Sequence, residues 1–223
     1  MTKLVDKSEL QAMVQKTIEY GKARTIPQMP EILKVPASNY FDPDRFNAEV
    51  NQIFKRLPLM LAASAELPKP GDYKTIEAVG VPVLIVRGQD GEVRAFINSC
   101  VHRGANVATA ERGNTRLFMC PYHGWTYSHK GDLVGVAAQS DFGEFDKSCH
   151  KLKQLPAAER AGLIWVVVNP HSGLDIDSFL SGYDRYLGHF GFKNWYCFSH
   201  RTLKGPNWKV AYDGYLDFYH LPL

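Results

Sequence analysis

The sequence predicts an α+β protein, with an all-β block over 57–168 between a helical N-terminal arm, 1–56, and a mixed segment, 169–223. Three observations carry this expectation. Helically spaced apolar residues characterise the first 56 positions, and short apolar runs parted by Gly, Asp and Pro turns fill the middle. After Pro170 the two patterns mix.

The first element is a helix opened by Ser8 with capping-box spacing to Gln11. Leu10, Met13, Val14 and Ile18 share one of its faces, and Gly21 is placed to end it. Thr25 to Pro36 is rich in proline and reads as an extended arm. A second helix starts near Asp42-Pro43, carries Phe46, Val50, Ile53 and Phe54, and ends or kinks at Pro58. Strands are expected at Val83–Val86 and Val93–Asn98, with an Asp-Gly turn over Gly88–Gly91. Further strands are expected at Arg116–Met119, running into Cys120, and at Ile164–Val168, closed by Asn169-Pro170. The tail offers a short helix over Ile176–Leu187 and a strand-like stretch over Trp195–Leu203. Lys209–His220 suits either strand or helix.

Composition excludes several classes. The net charge is +3, from 26 basic and 23 acidic residues, with no basic run, which argues against nucleic acid as a partner. No stretch nears the roughly 18 apolar residues that span a bilayer, and no secretion signal is evident at the N-terminus. A soluble, cytoplasmic protein is expected, in which the 4 cysteines are not a disulfide framework.

Two of those cysteines belong to a motif. Cys100-Val-His102 and Cys120-Pro-Tyr-His123 form C-x-H and C-x-x-H pairs parted by 17 residues. Two thiolates on one iron and two neutral imidazoles on the other is the ligand set of a Rieske-type [2Fe–2S] cluster. Exchanging two thiolates for histidines removes negative charge and raises the potential from roughly −400 mV to about −150 to +300 mV. Gly104 and Gly124 allow the loops to bend tightly, Pro121 stiffens the second, and Trp125 is placed to shield the site. The same four donors suit tetrahedral zinc, although zinc fingers usually pair two cysteines and then two histidines, not one of each per loop.

The segments Cys100-Val-His-Arg-Gly-Ala and Cys120-Pro-Tyr-His-Gly-Trp closely resemble the large (α) subunit of Rieske non-haem iron oxygenases, the aromatic-ring-hydroxylating family. Pro70–Tyr73, Arg94–Asn98, Asn207–Lys209 and Asp217-Phe-Tyr-His220 extend the likeness over about residues 45–223. The resemblance implies an oxygenase component that takes electrons from a ferredoxin or an NAD(P)H-dependent reductase and uses O₂ to hydroxylate an aromatic or related organic substrate. It implies His220 as a ligand of a mononuclear Fe(II), and Asp217 as the aspartate linking that iron to His123 of a neighbouring chain. It also implies a ring of subunits, usually a homotrimer, with or without a β subunit. The family's second iron histidine falls two residues past Leu223, so a truncated α subunit unable to hold the catalytic iron is expected. Asp213 departs from the family's asparagine. The competing reading is a Rieske ferredoxin-like electron carrier, which needs only the middle block.

Other residues read more plainly. His129, His171, His189 and His200 lack ligand spacing and suit surface or packing positions. Cys149-His150 has no second pair to join. Cys197, among Trp195, Tyr196 and Phe198, is expected as a buried small hydrophobe. Tyr212, Tyr215, Phe218 and Tyr219 suggest packing more than a substrate cage. Arg103 could join a docking face for an acidic ferredoxin, and Arg112 reads as a solvated arginine.

Overall fold

The computed structural model describes residues 7–27 and 29–216, so Asp217, Phe218, Tyr219 and His220 lie outside the described residues. Sheets dominate, with some helices, as the α+β expectation requires. The chain divides into two compact units: residues 43–206, and 1–42 together with 207–223.

The larger unit is built on three antiparallel sheets. One has five strands in the order β5-β2-β3-β4-β9: β2 (Asp72–Ala78), β3 (Val81–Arg87), β4 (Val93–Ile97), β5 (Arg112–Asn114) and β9 (Gln154–Leu155). A second sets β1 (Leu59–Ala63) and β10 (Ala157–Arg160) on either side of β11 (Leu163–Val166). The third is a small meander of β6 (Phe118–Met119), β7 (Thr126–Tyr127) and β8 (Leu133–Gly135).

β3 is central because it is buried on both faces. Alternate residues of a strand point to opposite sides, and here each side meets a different core. Leu84 and Val86 pack with Phe96, Phe118, Trp125, Tyr127 and both motif cysteines. Val83 and Ile85 pack with Ala62, Leu67, Ala95, Ile164 and Val166. The register carries this across to β4, where Leu84 faces Phe96 and Ile85 faces Ala95. A near-continuous apolar run, Val81–Val86, is what such a doubly buried strand demands.

Helices in this unit are short. α3 (Pro43–Glu49) begins on Pro43, whose fixed φ suits a first turn, and passes into one wide turn over Val50–Phe54 closed by Lys55 N–H to Val50 O at 2.9 Å. The helix expected over Ile176–Leu187 is two, α4 (Ile176–Leu180) and α5 (Tyr183–Gly188), because Ser181 and Gly182 both take positive φ, 49° and 88°. Asp175 caps the first by accepting from Ser178 N at 3.0 Å. The strand expected over Trp195–Leu203 is not formed: Trp195 ends a one-turn helix and the rest is irregular, with no strand partner. Cys197 is accordingly exposed rather than buried. Arg112 is not a solvated arginine either, since it ion-pairs with Glu66, which also holds Lys74 Nζ at 2.9 Å.

In the smaller unit, α1 spans Lys7–Ala23 and α2 spans Ser38–Phe41. Gly21 remains helical, and the left-handed position falls on Arg24 (φ 50°), whose N–H returns to Gly21 O. The ambiguous C-terminal stretch is a helix, α6 (Trp208–Leu216). Asn207 starts it by accepting from Val210 N at 3.0 Å. Tyr212 and Tyr215 are exposed, not packed.

Candidate iron–sulfur site

The two motif loops close by the same backbone scheme. In the first, Cys100 N–H donates to Ala105 O and Gly104 N–H to Cys100 O, both at 2.8 Å. In the second, Cys120 N–H donates to Trp125 O at 2.8 Å and Gly124 N–H to Cys120 O at 3.0 Å. Each glycine takes the left-handed conformation, φ 78° at Gly104 and 68° at Gly124. Space is not their reason, since a Cβ would meet nothing nearer than 3.4 Å at either; the backbone angle is.

Neighbouring elements hold the loops. Asn98, buried at the end of β4, donates through Nδ2 to Ala108 O at 2.8 Å and accepts from Val107 N and Ala108 N at 3.1 Å. One side chain thus ties both ends of the first loop. The second loop is the connection between β6 and β7, anchored by the pairs Phe118–Tyr127 and Met119–Thr126.

The donors converge in an ordered way. Cys100 and Cys120 are buried in one core with Trp125 and Tyr127, and both are free thiols. His102 and His123 are half-buried, with ring centroids 4.7 Å apart. Burial, followed by the nearby His123 and Arg103, lowers the pKa of His102, which favours the neutral imidazole a metal requires. Nδ1 of His123 is buried without a hydrogen-bond partner, which suits a lone pair meant for a metal. Two shielded thiols and two imidazoles in facing loops fit a [2Fe–2S] cluster, which takes two donors at each iron. Among the described residues, no three His, Cys, Asp or Glu side chains gather around a single ion, and such a cluster asks for no such group.

An aromatic wall closes the imidazole side. Trp125 stacks on His102 at 4.8 Å and 7°, as its place in the sequence suggested. Phe142 stands edge-on to both rings, at 6.1 and 5.8 Å, and Phe145 edge-on to Trp125 at 5.4 Å. His150 belongs to this wall, 4.4 Å from the Phe145 ring, with Nδ1 against Asp146 O at 2.9 Å. The Cys149-His150 pair is therefore divided between packing and surface. His129 is a packing residue, its Nε2 bonded to Thr115 O at 2.8 Å, while His171, His189 and His200 are exposed.

Sequence reasoning missed Tyr127. Fully buried, it places Oη 3.2 Å from Cys100 Sγ. Burial, then the bond to Cys100, raises its pKa, so the phenol stays protonated and would donate to the Cys100 thiolate of a bound cluster. Its position, two residues beyond Trp125, was the only signal. A hydrogen bond to a ligand sulfur offsets negative charge and favours the reduced state. Taking such a bond as about 1–1.5 kcal/mol and a tenfold change as about 59 mV for one electron, Tyr127→Phe is expected to lower the midpoint potential by roughly 40–65 mV. Protein-film voltammetry would measure this, and an unchanged potential would remove Tyr127 from any tuning role.

Paired Cys/His loops, one following β4 of the five-stranded sheet and one within the small meander, define an iron–sulfur electron-transfer domain. Comparison with known proteins makes the assignment specific: residues 58–157 match the family described as Rieske [2Fe-2S] domain. The glycine betaine monooxygenase oxygenase subunit of Chromohalobacter salexigens is 32% identical over 188 residues, covering 83% of this chain and 42% of that protein. The chlorobenzene dioxygenase subunit alpha of a Cupriavidus species is 32% identical over 195 residues, covering 81% and 42%. Among solved structures, a quaternary ammonium Rieske monooxygenase in complex with L-carnitine superposes with a TM-score of 0.76 at 29% identity, covering 84% of this chain and 54% of that one. Naphthalene 1,2-dioxygenase from Rhodococcus sp. gives 0.64 at 35% identity, covering 80% and 39%. Residues 58–157 carry a Rieske [2Fe-2S] domain, and the homologues of the chain include oxygenase α subunits of Rieske mono- and dioxygenases. It spans about 42% of the length of these curated relatives. The Rieske domain implies a [2Fe–2S] cluster.

Proposed function

We propose that the chain is the electron-accepting part of a Rieske oxygenase α subunit, with Cys100, His102, Cys120 and His123 as the cluster ligands. The observation that carries this reading is the pair of matched loops, with buried thiols behind and half-buried imidazoles in front. The cluster, when bound, takes up and passes on one electron at a time. The protein's own contribution is positional. The loops fix four donors, Trp125 and Phe142 keep water from the imidazole face, and the exposed Val101 and Tyr122 leave an approach for a redox partner. A reductase or ferredoxin fed by NAD(P)H is the proposed donor, with exposed Arg103 on its docking face.

The all-β block over 57–168 is the proposed electron-transfer domain, and 169–223 the start of a catalytic domain. There, by resemblance, His220 would be a ligand of a mononuclear iron and Asp217 would bridge to His123 of the next chain in a homotrimer. The substrate would be an organic compound of the kinds named in glycine betaine monooxygenase and chlorobenzene dioxygenase, and the co-substrate O₂.

Asp217→Ala in the assembled oxygenase tests this against a simple electron carrier. The visible spectrum should be unchanged and hydroxylation should fall by at least about 10- to 100-fold, the usual cost of losing a residue that orients a metal ligand. Full hydroxylation in that variant would reject the oxygenase role of the motif.

A further inference from the structure

Asn207 has two tasks. Its Oδ1 accepts from Val210 N at 3.0 Å and its backbone oxygen from Ala211 N at 3.0 Å, which starts α6. Its remaining amide group, Nδ2, donates to Tyr40 O at 2.6 Å. The same tyrosine reaches α6 again through its side chain, where Oη donates to Asp213 Oδ2 at 2.6 Å. One residue of α2 therefore grips α6 at its cap and again six residues on, about 9 Å along the axis at 1.5 Å per residue. A single contact would let a nine-residue helix pivot, whereas two separated contacts fix its direction and its rotation. The second bond raises the pKa of the Tyr40 phenol, chiefly because the hydroxyl hydrogen is held by Asp213.

In sequence, Asp217 follows directly on Leu216, the last residue of α6, and His220 lies three further. We propose that Tyr40 is a positioning residue for the Asp217/His220 motif, acting through Asn207 and Asp213; this rests on the oxygenase reading above. It gives Asp213 a task as the acceptor of the clasp, and gives the N-terminal arm a part in the reaction that an electron carrier would not need.

Hydrogen exchange, read by mass spectrometry alongside the visible spectrum, tests the clasp in the chain itself. Tyr40→Phe should raise exchange across 208–216 about tenfold while leaving the strands of 59–166 and the Rieske spectrum unchanged. Asp213→Asn keeps an acceptor and should behave as wild type, Asp213→Leu should match Tyr40→Phe, and the double variant Tyr40→Phe/Asp213→Leu should be no worse than either. In the assembled oxygenase, Tyr40→Phe should slow reoxidation of the reduced protein by O₂ several-fold without changing its rate of reduction, and Asp213→Asn should not. Unchanged exchange in Tyr40→Phe, or an Asp213→Asn variant as impaired as Asp213→Leu, would overturn the clasp while the Rieske spectrum stands. Loosened exchange with wild-type reoxidation would make the contact merely structural and overturn the positioning role. A wild-type chain with no Rieske spectrum would remove the oxygenase reading, and this proposal with it.

Discussion

His123→Ala is expected to yield a folded protein without the red-brown colour or the EPR signal of a dithionite-reduced Rieske centre. The imidazole is one of only two donors available to its iron, and no other described His or Cys lies in the loops to replace it. The fold should survive, because the second loop is closed by Cys120 N–H to Trp125 O and Gly124 N–H to Cys120 O, not by the ring. Cys100→Ala and Cys120→Ala should lose the cluster equally and cost stability as well, since both thiols are core atoms. His102→Cys separates the Rieske assignment from any other. A retained cluster would gain thiolate charge, and its potential should move from about −150 mV or above toward roughly −400 mV, with the Rieske signal lost. Retention of an unaltered Rieske signal in His123→Ala, or a colourless zinc-loaded wild type, would defeat the ligand assignment.

Leu84→Ala and Ile85→Ala, one position apart, should cost similar stability and differ in what they do to the cluster. Both side chains are fully buried, and removing a core leucine or isoleucine to alanine costs about 2–5 kcal/mol. Leu84 shares a core with Cys100, Cys120, Trp125 and Tyr127, so the cavity opens beside the ligand loops. Ile85 faces Ala62, Leu67 and Ile164 in the opposite core. Chemical denaturation should show a comparable loss for both. Voltammetry should show a shifted potential for Leu84→Ala alone. Equal shifts for the two variants would mean that β3 does not insulate the cluster from the other core.

The candidate site was more legible than the fold around it. Cysteine, histidine and glycine lie within six consecutive residues in each loop, so the donor pattern and the turn that presents it are both local facts of the sequence. Tyr127, 27 residues from Cys100, carries no such mark; its contact exists only once β7 is paired. Phe142, Phe145 and His150 likewise become a wall only when their segment folds back over Trp125. The doubly buried β3 was readable from its unbroken apolar run, whereas Trp195–Leu203, aromatic at its start but polar over Ser199–Thr202, found no strand to pair with. The break at Ser181 and the left-handed Arg24 were hidden because neither residue type favours positive φ. Arg112 was misread because its partner Glu66, which also holds Lys74, lies 46 residues earlier in the chain.

The matched bonding of the two ligand loops has a consequence for how such a protein lives in a cell. Backbone-to-backbone bonds close Cys100–Ala105 and Cys120–Trp125, with Ser99 and Thr126 hydroxyls donating to the Gly104 and Gly124 carbonyls, and Asn98 fastens the first loop to its own strand. A small zinc domain gains its shape from the metal and loses it to a chelator. Here the loops carry backbone bonds that use no ligand side-chain atom, so a chain that lost its cluster should keep its loops, and iron delivery would be a docking event more than a folding one. Cluster destruction by reactive oxygen, the standing hazard of any enzyme that handles O₂, would then be an injury repairable in place.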